Sequence, residues 1–80
     1  MQILQVEGSL NCTCRIAGLK HAALRVLRDT KGTRLVATDP VGAEPGNWVF
    51  VTSGSAARYT AGDFEILTDL AVCGIIDHWP

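Results

Sequence analysis

Positive charge is almost missing from the second half of this 80-residue chain: after Arg34, Arg58 is the only lysine or arginine. Aromatic residues make up only 6% of the sequence and the net charge is −1. A basic, aromatic-lined face for nucleic acid or an anionic membrane is therefore not written into the composition. No apolar run reaches the ~18 residues of a membrane-spanning helix, and no targeting segment is read at the start. The three cysteines, Cys12, Cys14 and Cys73, are an odd number and supply no obvious staple, which reads as reduced thiols in a cytosolic protein. They also fit no zinc pattern, because Cys-x-Cys is not Cys-x2-Cys and His21 and His78 are scattered. The sequence contains no nucleophile elbow, phosphate loop or Glu-containing histidine pair. Ser53, Ser55, His21, His78 and the aspartates form no catalytic constellation, and no cofactor or metal is expected.

What is present is apolar surface. Hydrophobic residues are 48% of the chain and charged residues 19%, which excludes disorder. A chain of this length buries only about 60% of its unfolded surface, so its own core is marginal without a partner. One small domain over residues 1–80 that assembles with copies of itself is the expectation. The charges are also unevenly placed. Arg15, Lys20, Arg25, Arg28, Lys31 and Arg34 crowd one stretch, opposed there only by Asp29, and Asp39, Glu44, Asp63, Glu65, Asp69 and Asp77 follow. These are either two solvated faces or a basic and an acidic edge suited to head-to-tail packing.

Along the chain, residues 1–10 alternate as a strand with Leu4 and Val6 on one face and Gly8 as a possible bulge. Residues 19–29 satisfy both periods, and propensity favours helix. The Asp29-Thr-Lys-Gly32-Thr33 turn and the alternating run 34–39 favour a strand before it. Residues 40–46, with two prolines and two glycines, form a loop of ordinary length. The Trp-Val-Phe-Val run that follows is the most strand-like in the chain, with Trp48 expected in the core. It passes into Ser-Gly-Ser-Ala-Ala-Arg (residues 53–58), where small side chains permit close approach of another backbone, a ligand or a symmetry mate. Ser53 or Ser55 is placed to cap a short helix ending at Gly62, and Arg58 to tie the loop down through carbonyls or an Asp. Gly54-Ser55 with Arg58 is the alternative anion site. Residues 70–76 are a continuous apolar strand that needs cover on both faces. Five strands and one short helix make a mainly β, small five-stranded OB-like β-barrel.

Gly-x-x-x-Gly-Asn-Trp-Val (residues 42–49), Ser-Gly-Ser-Ala-Ala-Arg (53–58) and Asp-Leu with Gly-Ile-Ile-Asp (69–70, 74–77) resemble the EutN/CcmL family, the pentameric vertex proteins of bacterial microcompartment shells. Cys-Thr-Cys-Arg-x-Ala-Gly-Leu-Lys (12–20) looks like the entry region of that family, so the likeness runs over nearly the whole chain. Ala-Thr-Asp-Pro-Val-Gly and Ala-Gly-Asp-Phe-Glu-Ile-Leu-Thr-Asp-Leu are most similar to the second vertex paralogue of the α-carboxysome. The ending at Pro80 is shorter than the charged tails of relatives. The resemblance implies a strand at 19–29 and a ring of five barrels, a homopentamer capping the vertices of a carboxysome-type shell in the bacterial cytoplasm. It also implies hexameric shell proteins as neighbours, with a paralogous vertex protein as a further candidate partner. By position, Ser53, Gly54 and Ser55 fall at the axial opening, where passage of small anions such as bicarbonate is a further reading. Arg58 falls where it braces subunits, and Thr13 and Arg15 on the rim facing hexamers. The alternative from a different class is an OB-type binding module for single-stranded nucleic acid or a small ligand. That module predicts exposed aromatics and salt-dependent binding, and burial of Trp48 and Trp79 speaks against it.

Overall fold

A computed structural model describes residues 1–78. Five strands close into one barrel: β1 (Gln2–Ser9), β2 (Leu24–Arg28), β3 (Arg34–Thr38), β4 (Trp48–Ser53) and β5 (Leu70–Ile76). The order around the barrel is β1-β2-β3-β5-β4, and β4 returns to β1. Neighbours run antiparallel except for β3 and β5, which meet in parallel at Thr38 and Ala71. The barrel closes, but the β3–β5 seam rests on that one pair, whereas the other neighbours share ladders of four to six pairs. Helix α1 (Ser55–Thr60) lies between β4 and β5, and a single 3₁₀ turn (Ala17–Leu19) interrupts the long β1–β2 connection.

Alternation places Leu4, Val6, Leu27, Ala37, Val49, Val51 and Val72 inside, with Ala43 closing the set from the 40–46 loop. The β1 register shifts between Val6 and Gly8, so the bulge falls where the glycine stands. Segment 19–29 becomes a strand from Leu24, paired to both β1 and β3. Its helix-like spacing has a cause. Leu24 and Leu27 are both buried, yet three residues along a strand they lie on opposite faces. Leu27 fills the barrel, while Leu24 is covered from outside by the preceding loop. The Asp29 turn forms as read: Asp29 Oδ1 accepts from the N–H groups of Lys31 and Thr33, each at 2.8 Å.

The expectation that Trp48 is core is corrected. Val49 and Val51 take the interior, and Trp48 and Phe50 stand half-buried on the outer face. With large apolar residues at four successive positions, period alone does not say which pair points in; the register with β1 and β5 does. Trp79 lies outside the described residues. Strand β5 buries Ala71 on one face and Val72 on the other within the subunit, and Ile75, opposite Val49 on the interior side, is 40% exposed. The Phe50 ring lies across its cross-strand partner Gly74, where an added Cβ would stand 2.6 Å from the ring.

Candidate functional site

One buried carboxylate organises the end of the barrel. Asp39, at the end of β3, accepts from the backbone N–H groups of Val41 (3.0 Å), Gly42 (2.9 Å) and Ala43 (2.8 Å). Arg25 Nε lies 3.1 Å from the same carboxylate, whose side chain is 0% exposed, and 3.1 Å from Ala43 O. The motif Asp-Pro-Val-Gly carries this signal, an aspartate whose side chain folds a following loop back on itself, and it was not drawn from the sequence. The anchored 40–46 loop then delivers Ala43 to the core and leads into β4.

At the far end of β4 the chain reaches Ser53, turns at Gly54 and enters α1. Gly54 has φ 67° and ψ −149°, a conformation open to glycine and strained for other residues, and its N–H donates to Asp69 O at 3.0 Å. Ser53, Gly54 and Ser55 are all exposed. The expected serine cap is absent: Gly54 occupies the N-cap, without a side-chain hydrogen bond, and Ser55 is already helical. Fully buried Ala57 holds the helix down, and Gly62, at φ 94°, ends the turn that follows it.

Arg58 does not tie the loop through carbonyls. Its guanidinium lies 5.5 Å from the centroid of the Phe64 ring, which also packs on exposed Tyr59 with centroids 4.7 Å apart. This places an aromatic and cationic patch beside the serine loop.

Thr13 and Arg15 are exposed on the 10–23 loop, and among the described residues no hydrogen bond or ion pair joins them to Ser53 or Ser55. Arg15 Nη1 donates to Ala22 O at 2.7 Å, drawing the two ends of the loop together. The loop docks on the segment before β5: Leu67 N–H donates to Gly18 O at 2.9 Å, and Lys20 pairs with Asp63 and Glu65. Between them runs an apolar groove of about 440 Å³, lined by Leu10, Ile16, Leu19, Leu24, Val36 and Leu67 among others. The same segment meets Gly54 through Asp69, so residues 63–69 join the 10–23 loop to the serine loop.

Of the two readings left open for the charges, solvated faces or a basic and an acidic edge, the ion pairs count against separate edges. Barrel closure pairs Arg25 with Asp39, Arg28 and Arg34 with Glu7, and Lys20 with Asp63 and Glu65. Charges far apart in sequence are neutralised within one subunit. The Lys20 hydrogen bond, assisted by the Glu65 N–H, holds the Asp63 carboxyl below the ordinary aspartate range, and the same bond raises Lys20. Cys12, Cys14 and Cys73 are free thiols, and no group of three or more His, Cys, Asp or Glu stands ready for a metal ion among the described residues.

Comparison with known proteins gives a consistent result. Residues 1–77 match the family described as ethanolamine utilisation protein EutN/carboxysome. The chain is 56% identical over 79 residues to the carboxysome shell vertex protein CsoS4B of Halothiobacillus neapolitanus, covering 99% of this chain and 98% of that protein. The solved structure of CsoS4B from Halothiobacillus neapolitanus superposes with a TM-score of 0.92 at 54% identity, covering 98% of this chain and all of that one. The pentameric microcompartment shell protein GrpN from Rhodospirillum rubrum superposes with a TM-score of 0.80 at 31% identity, covering 100% of this chain and 98% of its own.

Proposed function

The chain belongs to the EutN/CcmL family, and from that membership we propose that it fills the pentagonal vertices of a carboxysome shell. It is a structural subunit and not an enzyme, it assembles as a shell-associated pentamer, and its place is the carboxysome shell within the bacterial cytoplasm. The observation that carries this reading is the match, over nearly the full length of both chains, to a carboxysome shell vertex protein. The physical requirement is geometric: hexagons alone tile a plane, and pentagons are needed to close it.

The subunit is suited to burial against copies of itself. Ile16, Val36, Phe64, Leu67 and Ile75 are large apolar residues left exposed on a small barrel. Five copies of Ser53, Gly54 and Ser55 converge at the axis, where small exposed side chains permit close approach and leave an opening for small anions. Arg58, held over Phe64, braces the neighbouring subunit. Thr13 and Arg15 face hexameric shell proteins, and the homopentamer shares the shell with a paralogous vertex protein. The relatives are shell proteins, which leaves the nucleic-acid-binding alternative without support.

Native mass measurement at micromolar protein tests the assembly. A pentamer is expected, and a stable monomer or dimer contradicts the proposal. Replacing Ser55 with phenylalanine separates the two uses of the serine loop: blocked flux through intact pentamers supports an opening, whereas failed assembly shows that the small residues serve packing.

A further inference from the structure

The 10–23 loop carries two thiols that neither the barrel nor the vertex role uses. Cys12 and Cys14 are both exposed and free, and both line the groove beside Leu10, Ile16 and Leu19. The chain is not in a strand here, and it bends at Thr13, between the two cysteines. In a fully extended segment, residues two apart are separated by about 6.6–7.2 Å at Cα, at or beyond the limit a disulfide spans. A bend shortens that distance and lets the two side chains turn toward one another. Cys73 is placed differently: it is half-buried on β5, with Sγ 3.9 Å from Thr60 Oγ1 and 3.9 Å from Ala71 O.

We propose that Cys12 and Cys14 are a vicinal dithiol oxidised reversibly, within one subunit, by a low-molecular-weight disulfide. One thiolate attacks a sulfur of the oxidant, forms a mixed disulfide and expels one thiolate of the reagent. The second cysteine attacks the protein-side sulfur, closes the Cys12–Cys14 bond and expels the other. Two cysteines are oxidised, one disulfide reagent is reduced to two thiols, and the two protein thiol protons pass to the leaving thiolates. The bond is exposed and closes a very small ring, which places it among labile disulfides, formed only as the surrounding thiol pool becomes oxidised. Closing it fixes the bend at Thr13 next to Arg15, so the modification acts on the shape of the 10–23 loop.

The test uses the purified full chain, reduced and then equilibrated with mixtures of reduced and oxidised glutathione, followed by acid quenching, alkylation and mass spectrometry. The expected product is an intrachain species with a single alkyl group, on Cys73, and a mass about 2 Da below that of a chain with one alkylated and two free thiols; dithiothreitol should restore alkylation at all three cysteines. Cys12→Ser should instead retain glutathione on Cys14, because the resolving thiol is gone. Trypsin should cut after Arg15 several-fold more slowly in the oxidised form. Independent glutathione adducts on Cys12 and Cys14, a bond to Cys73 or a bond between chains overturns the proposal. An unchanged cleavage rate overturns its effect on the loop. None of these readouts depends on assembly into a shell.

Discussion

Replacing Asp39 with asparagine keeps the shape of the side chain and removes its charge and one of its two accepting oxygens. In the native barrel the two oxygens together accept three backbone N–H groups, and Arg25 Nε, which donates to Ala43 O, stands 3.1 Å from Oδ2 as the paired cation. An amide oxygen at the Oδ1 position still receives Val41 and Gly42, but the amide nitrogen then faces the Ala43 N–H and Arg25, donor against donor. Flipping the amide only exchanges which groups go unmatched. Breaking a buried charge pair by removing one partner costs about 3–5 kcal/mol. The Arg25 side chain is 20% exposed, so water takes up part of the stranded charge and the lower end, about 3 kcal/mol, applies. A domain of this size has roughly 4–12 kcal/mol to lose. The expected fall in Tm is roughly 12–24 °C, read by circular dichroism at one fixed protomer concentration because assembly adds to apparent stability. Adding Arg25→Met to Asp39→Asn should cost less than the two separate losses together, since the stranded cation is gone. A loss below about 1 kcal/mol for Asp39→Asn would refute the view that this carboxylate organises the loop.

Three other outcomes follow from the same geometry. Gly74→Ala sets a Cβ against the Phe50 ring and should cost about 1–3 kcal/mol in denaturant unfolding; Phe50→Leu should relieve that cost, and equal losses in both backgrounds would contradict the contact. Gly54→Ala meets no neighbouring atom but must hold φ 67°, so a loss of about 1–3 kcal/mol is expected from backbone strain alone, and a neutral change in the same unfolding assay would show that the turn relaxes. For Lys20 and Asp63 the sign is set by the two directions. The Asp63 contribution is present above its unfolded value and is lost as pH falls through its lowered folded value. The Lys20 contribution is present below its unfolded value and is lost as pH rises through its raised one. An NMR titration should place the Asp63 midpoint below that of an ordinary aspartate, and Lys20→Met should raise it, though not fully, because the Glu65 N–H still donates to the carboxylate; a midpoint that ignores the substitution contradicts the pairing.

The strands were legible to different degrees. β1, β3 and β4 show alternation or strong strand propensity, and the Asp29–Thr33 turn shows its hairpin chemistry, because these signals are local. The run 19–29 was not legible from propensity: two buried leucines on opposite faces of a strand imitate one face of a helix, and only the turn after it and the family likeness indicated a strand. The 3₁₀ turn at Ala17–Leu19 had no sequence signal that was read. For the serine loop the residue types were informative and the cap was not, because glycine at φ 67° changes where the helix begins.

By itself, then, the sequence determined the strand count, the family, and a small-residue turn between β4 and α1. Periodicity, turn chemistry and motif order are properties of neighbouring residues and need no third dimension. Only the tertiary structure decided which face of β4 is core, since that is a matter of register. It also decided which cations meet which carboxylates, since Glu7 reaches Arg28 and Arg34 only once β1 has paired with β2 and β3 lies alongside. Arg58 meets Phe64 only because the chain turns at Gly62 after α1, a geometry that residue types alone do not give.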